Sequence, residues 1–214
     1  LEEIGRALAP IPFLPTLLAI DALHAAGESA LVSELVSGQR IGAAVWENQL
    51  AVGAPDAGVV VRANADEVSV LEQVSVLAEA RMDLTRTVGW VNERGRPIGG
   101  VEEAQDVLNR GAVATSALLL GGATKVLEMA TQYAMDRRQF GRPIGSFQAI
   151  KHHCANMLVD VEGMRSVVYW AAWCVQEHHP DASIAASSAK VWCADAGPRV
   201  IGTGLQIHGG LGFT

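Results

Sequence analysis

The sequence predicts a mainly α-helical protein with a small β module in its middle, and three observations lead to that prediction. Residues 2–37 have a helical pattern that prolines interrupt. Residues 40–97 contain short β-branched runs separated by Gly, Pro, Asn and Asp. Residues 101–214 return to helical periodicity, with apolar residues at alternating spacings of three and four. The predicted domains are therefore a helical segment over 1–38, a short antiparallel β domain over 39–100 and a helical bundle over 101–214.

The N-terminal segment contains a proline-rich step. Pro10, Pro12 and Pro15 follow Leu8 and overlap the start of an apolar run over 13–23. Proline lacks a backbone N–H and is tolerated best in the first turn of a helix. The prolines therefore predict a helix end, a short extended link and a new helix.

The middle segment is predicted to form strands because its apolar runs are short and rich in valine. The runs cover 41–46, 58–61, 67–71, 74–77 and 87–91. Strands this short need a second packing layer for stability. We therefore expect a modest antiparallel module that packs against a neighbouring element.

The C-terminal segment contains a long apolar stripe typical of a helix in an antiparallel bundle. The stripe consists of Phe147, Ile150, Cys154, Met157, Val161, Met164, Val168 and Ala171. A preceding helix has Gly122, Val126, Met129 and Tyr133 on one side and is expected to end near Phe140.

A third helix is predicted to begin after Pro180, with Asp181 as its cap, and to run to about Ala196. Pro198 permits at most a break before a last helical turn toward His208. Three tryptophans on these helices, at positions 170, 173 and 192, are expected to be core residues.

Composition and charge exclude several function classes. The net charge of −7 argues against a general nucleic-acid binder, since an acidic surface repels phosphates. The apolar run over 111–124 is too short for a membrane span, which needs about 18 residues. Three cysteines in apolar context argue against a disulfide framework and favour a cytoplasmic protein. His152, His153 and Cys154 point about 100° apart on a helix, so no metal site is predicted.

The corner over 133–148 contains three arginines within six residues of an otherwise acidic protein: Arg137, Arg138 and Arg142. Arginines at a helix C-terminus complement the negative end of the helix dipole, which is a purely structural role. Guanidinium groups also bind diphosphate oxygens in pairs, so the same residues fit an anion site. The residues alone leave both interpretations open.

A glycine-rich stretch over 202–214 is the second candidate motif. Its glycines, Gly209 and Gly210 among them, let a backbone approach a ligand without a Cβ in the way. On its own, the stretch is better explained as an ordinary glycine stop after a helix ending at His208. It does not match a dinucleotide fingerprint, because position 207 is isoleucine and no strand precedes it.

The two motifs together resemble the C-terminal bundle of acyl-CoA dehydrogenases. The corner reads Tyr-Ala-x-x-Arg-x-Gln-Phe-Gly-x-Pro-Ile-Gly-x-Phe-Gln, and residues 206–214 read Gln-Ile-His-Gly-Gly-x-Gly-Phe-Thr. The segment over 2–12 is similar to a bacterial branch that degrades acyl-CoA and steroid side chains. The resemblance implies N-terminal helices, a middle β domain and a C-terminal four-helix bundle that binds FAD.

The resemblance also implies roles for particular residues. Arg137 would contact the flavin pyrophosphate of a neighbouring subunit, and Gln139, Phe140 and Gln148 would lie beside the cofactor. The adenosine end would be lined by Gln206, Gly209 and Gly210. The implied reaction is α,β-dehydrogenation of an acyl-CoA thioester by an oligomer, either of one chain or with a related subunit. Electron-transfer flavoprotein is the implied electron acceptor.

Two departures from the family pattern leave the catalytic glutamate unassigned. One family position for this base, early on the first bundle helix, holds Arg110, Gly111 and Ala112, with Asp106 and Glu128 on either side of a segment without acids. The middle module is short, and residues 46–48 do not match the loop that normally covers the flavin. The sequence therefore fits either an active flavoprotein subunit or a catalytically incomplete subunit that stabilises a partner. A helical interaction module without a cofactor is a third interpretation.

Overall fold

The computed structural model describes residues 1–47 and 50–213. The helices are α1 Glu2–Ala7, α2 Phe13–Ala25, α3 Ser29–Val36, α4 Val101–Asp136, α5 Gln148–Gln176 and α6 Ala182–His208. The strands are β1 Gly42–Trp46, β2 Ala51–Val52, β3 Val59–Ala63, β4 Val68–Leu71, β5 Val76–Ala78, β6 Val88–Val91, β7 Arg96–Gly99, β8 Arg138–Gln139 and β9 Arg142–Pro143. Short 3-10 helices cover Ala54–Asp56, Ile144–Ser146 and Gly209–Phe213.

The chain divides into two compact units. Unit 1 contains Leu1–Ala9 together with the residues from Ala112 onward, and unit 2 is Pro10–Gly111. The first helix thus groups with the long C-terminal helices, and α4 runs through the boundary. The division into domains over 1–38, 39–100 and 101–214 cuts the chain differently and stays a prediction.

Unit 2 contains two β-sheets, and the helices α2 and α3 pack on the sheet that contains β3 and β4. One sheet has the strand order β1-β3-β4-β7 and the other has the order β2-β6-β5. The expectation of an entirely antiparallel module is wrong at one point, because β1 pairs with β3 in parallel. The reason is that the chain between them contributes β2 to the other sheet before it returns in the original direction.

The central strand β3 shows why the module needs two further layers. Val59 and Val61 belong to a core cluster with Ala19 and Leu23 of α2, whereas Val60 belongs to a separate cluster with residues of the other sheet. Successive side chains of a strand point to opposite faces, so both faces of β3 are covered. This explains the continuous valine run, which is typical of a strand buried on both sides.

The core of unit 1 forms between α4, α5 and α6. The predicted stripe is confirmed in α5, where Met157, Val161, Met164 and Val168 are buried. The expected end of the third helix at about Ala196 is wrong: α6 continues through Pro198 to His208. Asp181 is its N-cap residue but makes no side-chain capping hydrogen bond.

Two expectations about side chains of unit 1 are also wrong. The three tryptophans are not core residues, because Trp170, Trp173 and Trp192 keep 43%, 53% and 42% of their surface exposed. Met129 of the predicted α4 stripe is likewise exposed. These large apolar groups stay partly exposed, and the sequence pattern alone does not show whether a partner covers them.

The first helix is tightly docked in unit 1. A Cβ at Gly121 would collide with the carbonyl oxygen of Glu2, and a Cβ at Gly5 would collide with that of Leu118. The two glycines therefore allow the backbones of α1 and α4 to touch. Glu2 also accepts hydrogen bonds from Arg165 at 2.7 Å and from the Tyr169 hydroxyl at 2.8 Å.

This docking is expected to depend on pH. Burial raises the pKa of Glu2, but hydrogen bonds from Tyr169 and Arg165 outweigh that effect and hold the pKa below its ordinary value. The hydrogen bond from Arg6 similarly lowers the pKa of Glu128. Groups with depressed pKa values stabilise the fold above their unfolded value of about 4.3, and that contribution is lost as the pH falls through the folded value.

We therefore expect the amides of α1 to exchange faster with deuterium below about pH 4, after correction for the intrinsic exchange rate. A Glu2→Gln variant is the control, since it removes one of the two titrating groups and should weaken the dependence. Equal protection of the α1 amides at about pH 6 and pH 3 would contradict the prediction.

Of the described helices, α4 is long and apolar enough to cross a membrane when only length and composition are considered. Leu120, Ala123, Ala130 and Ala134 of this helix are buried in the core of unit 1. Core helices pass the same test of length and composition. These contacts make α4 part of the packed core.

Candidate functional site

The arginine corner is a short hairpin at the end of α4. The helix ends at Asp136, earlier than expected, because β8 pairs with β9 directly afterwards. Phe140 and Gly141 form the turn with φ angles of 53° and 79°. The backbone N–H of Arg137 donates to the Tyr133 carbonyl at 2.8 Å, so the corner is continuous with the last turn of the helix.

The side chains of this corner point outward. Arg137, Arg138 and Gln139 are exposed, and Phe140 is 91% exposed. Within the described residues, neither Arg137 nor Arg138 has a carboxylate within ion-pair distance. Other arginines of unit 1 are paired, as Arg199 is with Asp160 at 2.8 Å. Cationic groups left without an internal acid are available to an anion.

The third arginine of the corner has a structural role. The guanidinium carbon of Arg142 lies 4.1 Å from the centre of the Phe147 ring, within cation–π distance. Phe140 meets the same ring edge-on with a centroid separation of 6.1 Å. Gln148 begins α5 nearby, and its amide nitrogen lies 3.2 Å from His152 Nε2.

The glycine-rich stretch over 202–214 begins inside α6 and continues past the end of that helix. Gly209 is the residue after the helix, with φ of 61°, so the expected glycine stop is confirmed. Its neighbourhood is open: a Cβ built at Gly209 or Gly210 meets no heavy atom within 4 Å. Gln206, one turn earlier, is exposed. Gly209 can therefore end the helix and at the same time leave its backbone open to a ligand.

A ring contact brings the two motifs together. Tyr133 stacks on His208 with centroids 4.6 Å apart and planes 24° from parallel. Tyr133 lies one helical turn before Arg137, and His208 directly precedes Gly209. The corner and the bare backbone therefore lie at the same end of unit 1. The sequence contains both rings, but no feature of it indicates that they touch.

These residues fit the diphosphate of a dinucleotide cofactor. Such a group needs cationic donors and backbone amides that it can reach. The exposed guanidiniums of Arg137 and Arg138 supply the first, and the unobstructed backbone of Gly209 and Gly210 supplies the second. That they bind FAD stays a prediction, as do the roles of Gln139, Phe140, Gln148 and Gln206.

The two acidic residues on either side of the expected base position have different surroundings. Glu128 forms an ion pair with Arg6. Arg110, in the segment of α4 where the family resemblance led us to expect a base, pairs with Asp21 of α2 at 3.4 Å, a contact that the sequence did not reveal. Asp106 lies beside this pair and lines a small cavity of about 40 Å³ in unit 2.

The remaining sequence candidates have ordinary surroundings. His152 and His153 are exposed, and the part of the chain that the structure describes contains no group of three metal-ligating side chains. Cys193 is buried, and that burial raises the pKa of its thiol to about 11. A thiol that stays protonated is a poor nucleophile, so Cys193 is a packing residue. Residue 48 of the mismatched flavin-loop segment lies outside the described residues.

Known proteins are similar to this sequence over its whole length. Residues 99–214 match the family model described as acyl-CoA dehydrogenase, C-terminal domain. Acyl-CoA dehydrogenase IpdE2 of Mycolicibacterium smegmatis is 32% identical over 214 residues, which is 100% of this chain and 66% of that protein. IpdE2 of Mycobacterium tuberculosis is 33% identical over 216 residues, covering 100% of this chain and 65% of that protein. The chain spans slightly less than two thirds of these relatives.

A solved structure has the same fold. A chain of the ChsE4-ChsE5 complex from Mycobacterium tuberculosis superimposes with a TM-score of 0.87 at 29% identity, covering 99% of this chain and 68% of that one. The prediction of a mainly helical fold with a small β module is thereby confirmed. Because the family model also matches more than half of the residues, the chain belongs to the acyl-CoA dehydrogenase family.

Proposed function

We propose that this chain is a subunit of an FAD-dependent acyl-CoA dehydrogenase that introduces an α,β double bond into an acyl-CoA thioester. The observation that supports this most directly is the stacked pair Tyr133–His208, which brings unpaired arginines and open glycine backbone to one end of unit 1. The names of the IpdE2 relatives support the class of reaction. A steroid side-chain CoA ester is the proposed substrate, because the N-terminal segment resembles the branch that degrades such compounds.

In this proposal the residues of unit 1 bind and orient the cofactor. Arg137 binds the diphosphate, and the amides of Gly209 and Gly210 approach the same group without side chains in between. Gln206 contacts the adenosine end. Gln139, Phe140 and Gln148 lie beside the cofactor. Bound FAD would supply the hydride acceptor for the β-hydrogen of the substrate.

A second function is favoured by one observation. One of the two positions that the family resemblance implies for the catalytic base, early on α4, holds Arg110, Gly111 and Ala112, and the charge of Arg110 is neutralised by Asp21. Removal of a weakly acidic α-proton requires a desolvated carboxylate, and a guanidinium cannot accept a proton. The second candidate is therefore a subunit that holds cofactor elements while a related partner supplies the base.

The partner proposed for either function is a second subunit, identical or related. Unit 1 exposes apolar side chains that a partner would cover: Val159, Trp170 and Trp173 on α5, and Ile184 and Val191 on α6. Aromatic residues are enriched in protein interfaces, and contiguous apolar patches mark interaction sites. The ChsE4-ChsE5 structure, a complex of two proteins, supports a pair of unlike subunits. Electron-transfer flavoprotein is the proposed acceptor, and the cytoplasm the proposed location.

The proposed function is tested by cofactor content. The full-length protein, purified with its natural partner, is expected to absorb near 450 nm, about the usual flavin band. Replacing Arg137 by alanine should weaken FAD binding by about 10- to 100-fold, since it removes a charge-assisted hydrogen bond. Arg81→Ala removes an exposed arginine of unit 2 and is the matched control. Absence of flavin, or equal affinity in the two variants, contradicts the proposal.

Turnover separates the two functions. The isolated chain, loaded with FAD, is mixed with an acyl-CoA and an artificial electron acceptor, and the same assay is run with the purified complex. Activity of the isolated chain supports a complete dehydrogenase subunit and excludes the partner-dependent function. Activity confined to the complex supports a base supplied by the partner.

A further inference from the structure

We propose that Tyr133 and His208 are positioning residues that hold the arginine corner against the glycine backbone for cofactor binding. The inference rests on the proposed function, since it concerns the same end of unit 1. Neither residue is assigned contact with the cofactor. Their effect is on the relative position of the groups that do bind it.

Tyr133 fixes the corner through both its ring and its backbone. Its carbonyl accepts the N–H of Arg137 at 2.8 Å, and its ring packs against the core of unit 1 as a partly buried group. The N–H of Ile144 in turn donates to the Arg137 carbonyl at 2.8 Å. A movement of Tyr133 would therefore shift the backbone from which the Arg137 side chain projects.

His208 fixes the end of α6 in the same manner. Its Nδ1 lies 2.8 Å from the carbonyl oxygen of Gly204. A carbonyl oxygen can only accept, so Nδ1 carries the proton and the ring is held against its own helix. Gly204 is buried, and a Cβ at this position would collide with Val126 of α4. The imidazole is thus anchored where α6 packs closely on α4.

The stack joins these two anchored groups. Its centroid distance of 4.6 Å and interplanar angle of 24° are those of an offset aromatic pair. Arg137 follows the first ring by one turn, and Gly209 follows the second by one residue. Groups that bind a ligand from two different helices need fixed separation, because a displacement of about 1 Å weakens binding or catalysis markedly. The pair supplies that constraint.

The experiment separates the ring from the hydrogen bond by four variants of the complex with its natural partner. Tyr133→Phe keeps the ring, and Tyr133→Leu removes it. His208→Phe keeps a ring without the Nδ1 donor, and His208→Asn keeps a comparable donor without the ring. Each complex is stripped of flavin and titrated with FAD and, separately, with ADP, which carries the adenosine and diphosphate alone. The visible circular dichroism of bound flavin and the Tm are recorded alongside.

We expect Tyr133→Phe to bind like the wild type, and Tyr133→Leu and His208→Asn to bind FAD and ADP about 3- to 10-fold more weakly. The flavin dichroism should change in the weakened variants and be kept in Tyr133→Phe. The double variant Tyr133→Leu/His208→Asn should bind no more weakly than whichever single variant binds more weakly, because both changes break the same ring contact. Additive losses, or wild-type affinity of Tyr133→Leu at an unchanged Tm, overturn the inference.

Two comparisons keep the result interpretable. If Tyr133→Leu does not fold, His208→Phe and His208→Asn decide: tighter binding by the variant that retains a ring supports the stack, and equal or weaker binding overturns it. Arg137→Ala is titrated in parallel. Weak binding by Arg137→Ala together with normal binding by Tyr133→Leu overturns the positioning role and leaves the proposed function standing. Normal binding by Arg137→Ala overturns the proposed function itself.

Discussion

Replacing Met164 by alanine is expected to destabilise unit 1 by about 2–5 kcal/mol, because it removes a buried side chain and leaves a cavity. Met164 has no exposed surface and lies at the centre of the core cluster of α4, α5 and α6. Interiors are packed at nearly crystalline density, so the neighbours relax only in part. The loss is large compared with the total stability of a typical domain.

The measurement is urea unfolding followed by far-UV circular dichroism. Val159→Ala is the matched control, because Val159 lies on the same helix with 69% of its surface exposed. Its substitution should change the free energy of unfolding by less than about 0.5 kcal/mol in the isolated chain. A Met164→Ala midpoint equal to that of Val159→Ala would show that α5 is not packed as described.

Replacing Gly121 by alanine is expected to undock α1 and to destabilise unit 1 by about 1–3 kcal/mol. The added methyl group would meet the backbone of Glu2 and would lie 2.7 Å from the backbone nitrogen of Arg6. Backbone atoms cannot rotate away as a flexible side chain can. Alanine favours a helix over glycine by about 1 kcal/mol, so this gain offsets part of the clash.

The adjacent position provides the control for this second prediction. Gly122 belongs to the same helix, but a Cβ there lies 3.7 Å from the nearest atom, which is an ordinary contact. Gly122→Ala should therefore be neutral or stabilising by up to about 1 kcal/mol. Deuterium exchange of the α1 amides should rise in Gly121→Ala and stay unchanged in Gly122→Ala. The opposite ranking would contradict the close approach of the two backbones.

The sequence predicts well those features that depend on local periodicity. The α5 stripe from Met157 to Val168 follows from spacings of three and four, since such residues share one face of a helix. The strands over 41–46 and 58–61 follow from β-branched runs with turn residues between them. The glycine stop at Gly209 follows from the conformations open to glycine alone.

Features that depend on distant contacts are not predictable in this way. The sequence pattern around a tryptophan such as Trp173 is the same in a protein core and on a surface that a partner covers. The pattern therefore wrongly predicts Trp173 to be a core residue. The parallel pairing of β1 and β3 depends on the pairing of β2, which lies between them in the chain, with β6 of the other sheet. In the candidate site, the corner and the glycine stretch are each visible in the sequence, whereas the contact between Tyr133 and His208 is a product of folding.

Unit 1 is made of two stretches of the chain that are far apart in sequence, and this has a consequence for biosynthesis. Residues Leu1–Ala9 leave the ribosome before all of Pro10–Gly111, whereas their binding surface on α4 is translated afterwards. At about 5–20 residues per second, the delay amounts to about 5–20 s. Residues Leu1–Ala9 therefore cannot pack in unit 1 until translation delivers Leu118 and Gly121.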